Sequence, residues 1–243
     1  MQAPGVGRCP VCGAFVPIGP RCELCLVPLK VERDGRLLAV HPLIRPGDVL
    51  ASRDLTREPL PGEKQRSWSR ADGCAAVEDG HGIVLHVPGG ETRLFIETWV
   101  RVRDCCVRSA FMCFDPYAQY GVMLRREPIG DGARTFYSLD VQPGKQSVRL
   151  ARCFSTKTEA GAHALFGWAQ LPCIAPPGHP NEVELRAQGT AIEAWVNGTC
   201  VIQLHDPVLG IGWTGMRVAP IEVPAGTKTR VLCRGFEVRA VAV

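Results

Sequence analysis

The stretch Ile192–Leu204, IEAWVNGTCVIQL, carries the strongest local structural signal in the chain. Asn197-Gly198 lies between two runs in which apolar and polar residues alternate. A two-residue type I′ turn needs positive φ at both central positions, and Asn followed by Gly meets that need at least steric cost. The spacing therefore predicts a β-hairpin over 191–204. The turn also accounts for Asn197 without glycosylation, although Asn-Gly-Thr matches the acceptor pattern.

The same period of two recurs outward from this hairpin. In Thr92–Arg103, Leu94, Ile96, Thr98, Val100 and Val102 share one face, while Phe95, Glu97, Trp99, Arg101 and Arg103 share the other. Further strands are expected at 81–87, 107–114, 120–126, 135–141, 147–153, 182–187, 212–218 and 230–241. No helical period persists long enough to compete. The 26 glycines and 20 prolines are scattered, as turns between short strands require. The fold class is all-β, with two antiparallel sheets packed face to face.

Toward the N-terminus, Cys9-Pro-Val-Cys12 and Cys22-Glu-Leu-Cys25 form two CxxC knuckles. Four thiolates converging in a tetrahedron suit zinc and close its coordination sphere. So short a segment cannot bury enough apolar surface to fold alone, so the metal would supply most of its folding energy. Structural Zn2+ held by Cys9, Cys12, Cys22 and Cys25 is the expectation. Paired disulfides and four-thiolate iron are its rivals. A second hairpin is expected in KVERDGRLLAV, turning at Asp34-Gly35. The prolines near 42–46 mark the boundary, giving a zinc ribbon with a hairpin over 1–41 and a sandwich over 42–243.

The order of FIETWVRV, YGVMLRRE, FYSLDVQPG, SVRLARC, LFGW, the 191–204 hairpin, GIGWTGM and RGFEVRAV resembles the concanavalin A-like jelly-roll superfamily. Laminin-G-like and 3-keto-disaccharide hydrolase-like modules are the members it is most similar to. The resemblance covers roughly residues 50–243 and implies a jelly-roll β-sandwich. Its members bind sugars, hydrolyse glycosides or serve only in adhesion and assembly, so the fold does not choose an activity.

Retaining glycosidases need two carboxyl groups about 5 Å apart. The Glu-x-Asp-x-x-Glu string that hydrolases of this superfamily often carry on one strand is absent. The best polar cluster is Glu97, Trp99 and Arg101, with Arg125 or Arg126 reaching it from a neighbouring strand. An aromatic ring beside charged side chains suits a sugar, stacking on C–H groups while forks bind hydroxyls. Trp213, in GIGWTG, has small neighbours that leave a ring face open. Core packing is the expected use of Trp168, Trp195 and Trp213, with stacking on a sugar the alternative for each. The six histidines show no ligand spacing, and no catalytic triad is assigned. Cys74, Cys105, Cys106, Cys113, Cys153, Cys173, Cys200 and Cys233 are expected as free, mostly buried thiols.

The net charge of +4 is spread through the strands with no basic block, which disfavours nucleic acid as a partner. Apolar runs are strand-sized, so no membrane span is expected. The start lacks a basic region followed by an apolar stretch, so the expected location is cytoplasmic. The chain reads as a non-catalytic protein-interaction or self-assembly module, with shallow carbohydrate binding on the sandwich. The alternatives are a saccharide hydrolase or lyase working on the concave sheet, and a nucleic-acid-associated ribbon protein.

Overall fold

The computed structural model describes residues 6–8, 15–17, 29–31, 37–39, 49–54, 75–78, 83–88, 94–128, 133–155, 160–221 and 228–241. In chain order the strands are β1 (Val6–Arg8), β2 (Phe15–Pro17), β3 (Leu29–Val31), β4 (Leu37–Ala39), β5 (Val49–Asp54), β6 (Ala75–Glu78), β7 (Ile83–Pro88), β8 (Leu94–Val102) and β9 (Cys105–Cys113). They continue as β10 (Ala118–Pro128), β11 (Arg134–Gln142), β12 (Ser147–Ser155), β13 (Ala160–Gln170), β14 (Pro180–Gln188), β15 (Ala191–Val196), β16 (Thr199–His205), β17 (Gly212–Pro220) and β18 (Lys228–Ala240). Among the described residues a single 3₁₀ turn, Pro143–Lys145, joins β11 to β12.

These strands build two large antiparallel sheets. One has six strands in the order β13-β12-β11-β10-β17-β8. The other has eight, in the order β16-β15-β14-β9-β18-β7-β6, with β5 also on β18. Strand β18 is long enough to pair its first half with β7 and its second half with β5. The main core lies between the sheets and takes alternate residues from each. Tyr120, Val122 and Leu124 come from β10, Leu139 and Val141 from β11, and Val183 and Leu185 from β14. Phe111 and Tyr120 stack across the gap at 4.8 Å, and the Tyr120 hydroxyl accepts a hydrogen bond from Asn181 at 2.9 Å. Each large side chain buried in this way contributes about 1.5–3 kcal/mol.

The predicted hairpin is present as β15 and β16, with Asn197 at φ 50 and Gly198 at φ 78, both positive as the turn requires. The Asn197 side chain is fully engaged. Its amide donates to the carbonyl of Cys173 and to Asn181 Oδ1, and its oxygen accepts from the backbone N–H of Glu182. The two strands of the second predicted hairpin pair, with Leu29 opposite Ala39 and Val31 opposite Leu37, while the predicted turn at Asp34-Gly35 lies outside the described residues. Arg8 pairs with Phe15 across β1 and β2. Cys9, Cys12, Cys22 and Cys25 themselves lie outside the described residues, as does Cys74.

Cys105, Cys113, Cys153 and Cys233 are buried free thiols, and Cys106, Cys173 and Cys200 are free and half-buried. Burial pushes Cys113 up to about 11, and burial followed by Glu184 pushes Cys106 up to about 12, so neither ionises at neutral pH.

Strand β13 is a finding that alternation did not anticipate. AGAHALFGWAQ is rich in Ala and Gly and has no β-branched residue. It is extended because it pairs along the whole length of β12, so the partner strand overrides a weak local preference.

Gly121 shows how closely neighbouring backbones approach in the six-stranded sheet. A Cβ there would stand 1.8 Å from the Leu139 carbonyl oxygen, which is backbone and cannot swing away. Gly121→Ala is expected to cost about 1–3 kcal/mol as the strands are forced apart, read as a lower urea midpoint. An unchanged midpoint would contradict this packing.

Candidate functional site

The sequence placed its candidate cluster on β8, β10 and β17, and the structure brings those strands together. Arg101 pairs with Trp213 and Glu97 with Gly215 across β8 and β17. Trp213 also pairs with Arg126 across β17 and β10, and it is half-buried. The side chains of Glu97, Trp99 and Arg101 lie outside the described residues.

Arg125 does not sit as a simple alternation would place it. A β-bulge in β10 shifts the register between Leu124 and Glu127, and Arg125 takes a positive φ of 51. The extra residue turns the side chain inward, leaving it 1 % exposed. Its guanidinium donates to the carbonyls of Arg103 (3.0 Å), Leu209 (2.7 Å) and Gly189 (2.7 Å), and approaches Asp104 Oδ1 at 3.4 Å. It clamps three connections at one end of the sandwich.

The tryptophans also depart from expectation. Trp195 is half-buried on the outer face of the eight-stranded sheet, under Arg186 at 4.6 Å, and donates to Glu193. The same face carries the Arg108–Glu182 and Arg186–Glu184 ion pairs. Trp168, on the unforeseen strand β13, is 40 % exposed.

Trp168 marks a depression of about 370 Å³ on the six-stranded sheet, lined by Gln142, Lys145, Ser147, Trp168, Gln170 and Ile221. Strand pairing builds it. Val141 and Val148 point into the main core, so Gln142 and Ser147 face the opposite side. Gln142 stands opposite Ser147, and Ser147 opposite Gln170. The Pro143–Lys145 turn, closed by the Gln146 N–H donating to the Pro143 carbonyl, holds Gln142 and Ser147 in line and places Lys145 at the rim. Ser147 is only 4 % exposed, and its hydroxyl has no hydrogen-bond partner among the described residues.

An ionic row lies one step along the strands. Arg149 stands over the Trp168 ring at 4.7 Å and donates to Asp140 Oδ2 at 2.8 Å. Arg217 reaches the same carboxylate at 3.4 Å, and Ser138 donates to it at 2.7 Å. Burial alone would raise the Asp140 pKa. Arg217, Arg149 and the Ser138 hydrogen bond outweigh that and hold it below the ordinary carboxylate range. One face of the Trp168 ring thus meets a guanidinium anchored by a buried ion pair.

Known structures share this architecture. A galectin-like protein of unknown function from Bacillus subtilis matches with a TM-score of 0.61 and 14% identity, over 81% of this chain and 97% of its own. The fold is a galectin-like jelly roll. A Bacillus licheniformis β-glucanase matches with a TM-score of 0.53 and 11% identity, over 78% of this chain and 97% of its own. A Bacteroides ovatus GH16 protein in complex with product matches at 0.56 and 6%, over 78% and 100%. At such identities the likeness concerns the fold alone. No family model and no curated protein matches the chain.

The jelly roll was legible in the sequence, whereas the depression was not. Its residues come from β11, the Pro143–Lys145 turn, β12, β13 and the segment after β17, and only the Trp168 ring was weighed beforehand. The sole advance signal was a tryptophan set among small residues, LFGWAQ, where a core strand would carry branched ones.

Proposed function

We propose that the sandwich is a non-catalytic carbohydrate-binding module and that the Trp168 depression is its binding site. The observation that carries this reading is the unpartnered Ser147 hydroxyl at the floor of a hollow whose rim is an exposed indole. A buried hydroxyl without a partner costs free energy that a ligand hydroxyl would recover. The indole offers a flat apolar face for sugar C–H groups, while Gln142, Gln170 and Lys145 supply directional polar contacts.

The described lining contains no carboxyl group to protonate a leaving oxygen. The nearby Asp140 is buried and tied to two arginines, which suits scaffolding better than proton transfer. The sandwich would present the sugar site, and the Cys9, Cys12, Cys22 and Cys25 ribbon, closed around zinc, would dock a protein partner.

A glycan array followed by titration calorimetry tests the sandwich. Trp168→Ala is expected to weaken binding roughly 10–100-fold, from the loss of about 1.5–3 kcal/mol of stacking and burial, with no change in the thermal midpoint. Unaltered affinity in the variant, or a wild-type protein that retains no glycan, would overturn the reading. For the ribbon, metal analysis is expected to find one zinc per chain, lost on replacing Cys9 and Cys12 by serine.

A further inference from the structure

The two ends of the depression lie on strands that are not neighbours. Ile221, which lines it, follows directly after β17, while Trp168 and Gln170 lie on β13 at the sheet edge. Strands β12, β11 and β10 run between them. The first two contribute Ser147 and Gln142. On β10 the residue in line is Gln119, one step beyond the Tyr120–Val141 pair and itself opposite Ala219 of β17. Tyr120 and Val122 belong to the main core, and Met123 to the separate cluster with Phe136, so alternation sets Gln119 on the same side as Gln142.

Gln119 is 7 % exposed, and its side-chain Nε2 has no hydrogen-bond partner among the described residues. The row Gln170, Ser147, Gln142, Gln119 is therefore three amides and a hydroxyl, one from each successive strand. Two of its four members are buried and hold an unsatisfied polar atom. At the usual spacing between strands the row spans ~14 Å. That is the reach of a short oligosaccharide and exceeds a single ring. All four groups of the row are neutral; the cation of the lining, Lys145, stands at the rim, and the Asp140 carboxylate of the adjacent row faces both Arg149 and Arg217.

We infer that the ligand is an uncharged oligosaccharide lying along this row, with Gln119 as a further contact residue at its inner end. The inference rests on the depression being a saccharide site. A neutral amide gives and accepts hydrogen bonds, as sugar hydroxyls require, whereas a site for acidic sugars would set cations along its floor.

The test is calorimetric titration with cello-, laminari- and manno-oligosaccharides of two to six units, with oligogalacturonides of equal length as charged counterparts. For the wild type, affinity in a neutral series is expected to rise about tenfold from disaccharide to tetrasaccharide and then level off. It is expected to change less than about twofold between low and high salt. Gln119→Leu is expected to keep disaccharide affinity within about twofold and to abolish the rise with length. Gln119→Asn, which keeps the amide but shortens its reach, serves the same purpose should the leucine variant fail to fold.

Affinity already maximal with a disaccharide, an unaltered length dependence in both variants, or preference for the oligogalacturonides would overturn the inference while leaving a saccharide site at Trp168. Failure of every series to bind would overturn the inference and the saccharide reading together.

Discussion

Replacing Asp140 with alanine is expected to lower folding stability by about 3–5 kcal/mol, because it strands a buried arginine without its counter-charge. Asp140 is fully buried. Arg217, itself almost inaccessible, lies 3.4 Å from it, and Arg149 lies 2.8 Å away. Urea unfolding should show the loss as a lower midpoint at constant slope. Asp140→Asn keeps acceptor oxygen in place and should cost less. Replacing Asp140 and Arg217 together with leucine and methionine should recover part of the loss, since the unpaired charge goes too. A single alanine variant as stable as wild type would refute this account of the network.

The same carboxylate links stability to pH. Its folded pKa is held below the ordinary value, so its contribution is fully present above the unfolded pKa of about 3.9. The contribution is lost as pH falls through the lower folded value. Wild type should therefore lose stability in acid below about pH 4, and the Asp140→Asn variant should lack that part of the slope. Arg149 holds both Asp140 and the Trp168 ring, so the variant should also bind saccharide more weakly at neutral pH, as titration would show.

Arg125→Ala is the second large effect expected. It removes the donors that serve the Arg103, Gly189 and Leu209 carbonyls, at about 3–5 kcal/mol in total. Lysine at this position should recover less than half, because a single ammonium cannot reproduce the guanidinium fork across connections so widely separated in sequence. Glycine should be better tolerated than alanine by about 1 kcal/mol, since Arg125 occupies a positive φ that a Cβ disfavours. Limited proteolysis would report the mechanism as well as the energy. New cuts are expected near Gly189 and Leu209, the segments the guanidinium ties down. An intact digestion pattern together with wild-type stability would rule out the clamp.

Most of the sandwich was legible because its signals are local. The Asn197-Gly198 turn needs only two residues with the right φ, and the alternation in 182–187 follows from one buried face, whereas 120–126 and 136–141 are buried on both. Two departures have definite causes. AGAHALFGWAQ carries little strand preference of its own and becomes β13 only by pairing with β12. Arg125 or Arg126 was expected to reach Glu97, Trp99 and Arg101 from a neighbouring strand, and the β10 bulge instead turns Arg125 inward.

The sequence by itself determined that this chain is a two-sheet β protein with a four-cysteine motif before it, because turn chemistry, side-chain alternation and CxxC spacing act over a few residues. Only the tertiary structure decided which polar side chains share a surface. Gln119, Gln142, Ser147 and Gln170 are separated by loops of unrelated length, and they form a row solely because inter-strand hydrogen bonds fix the register of four strands at once. Likewise, the buried Asp140 acquires its two arginines from β12 and β17, one the next strand in sequence and the other far along the chain. Pairing across the sheet, not nearness along the backbone, sets the charge and shape of the site.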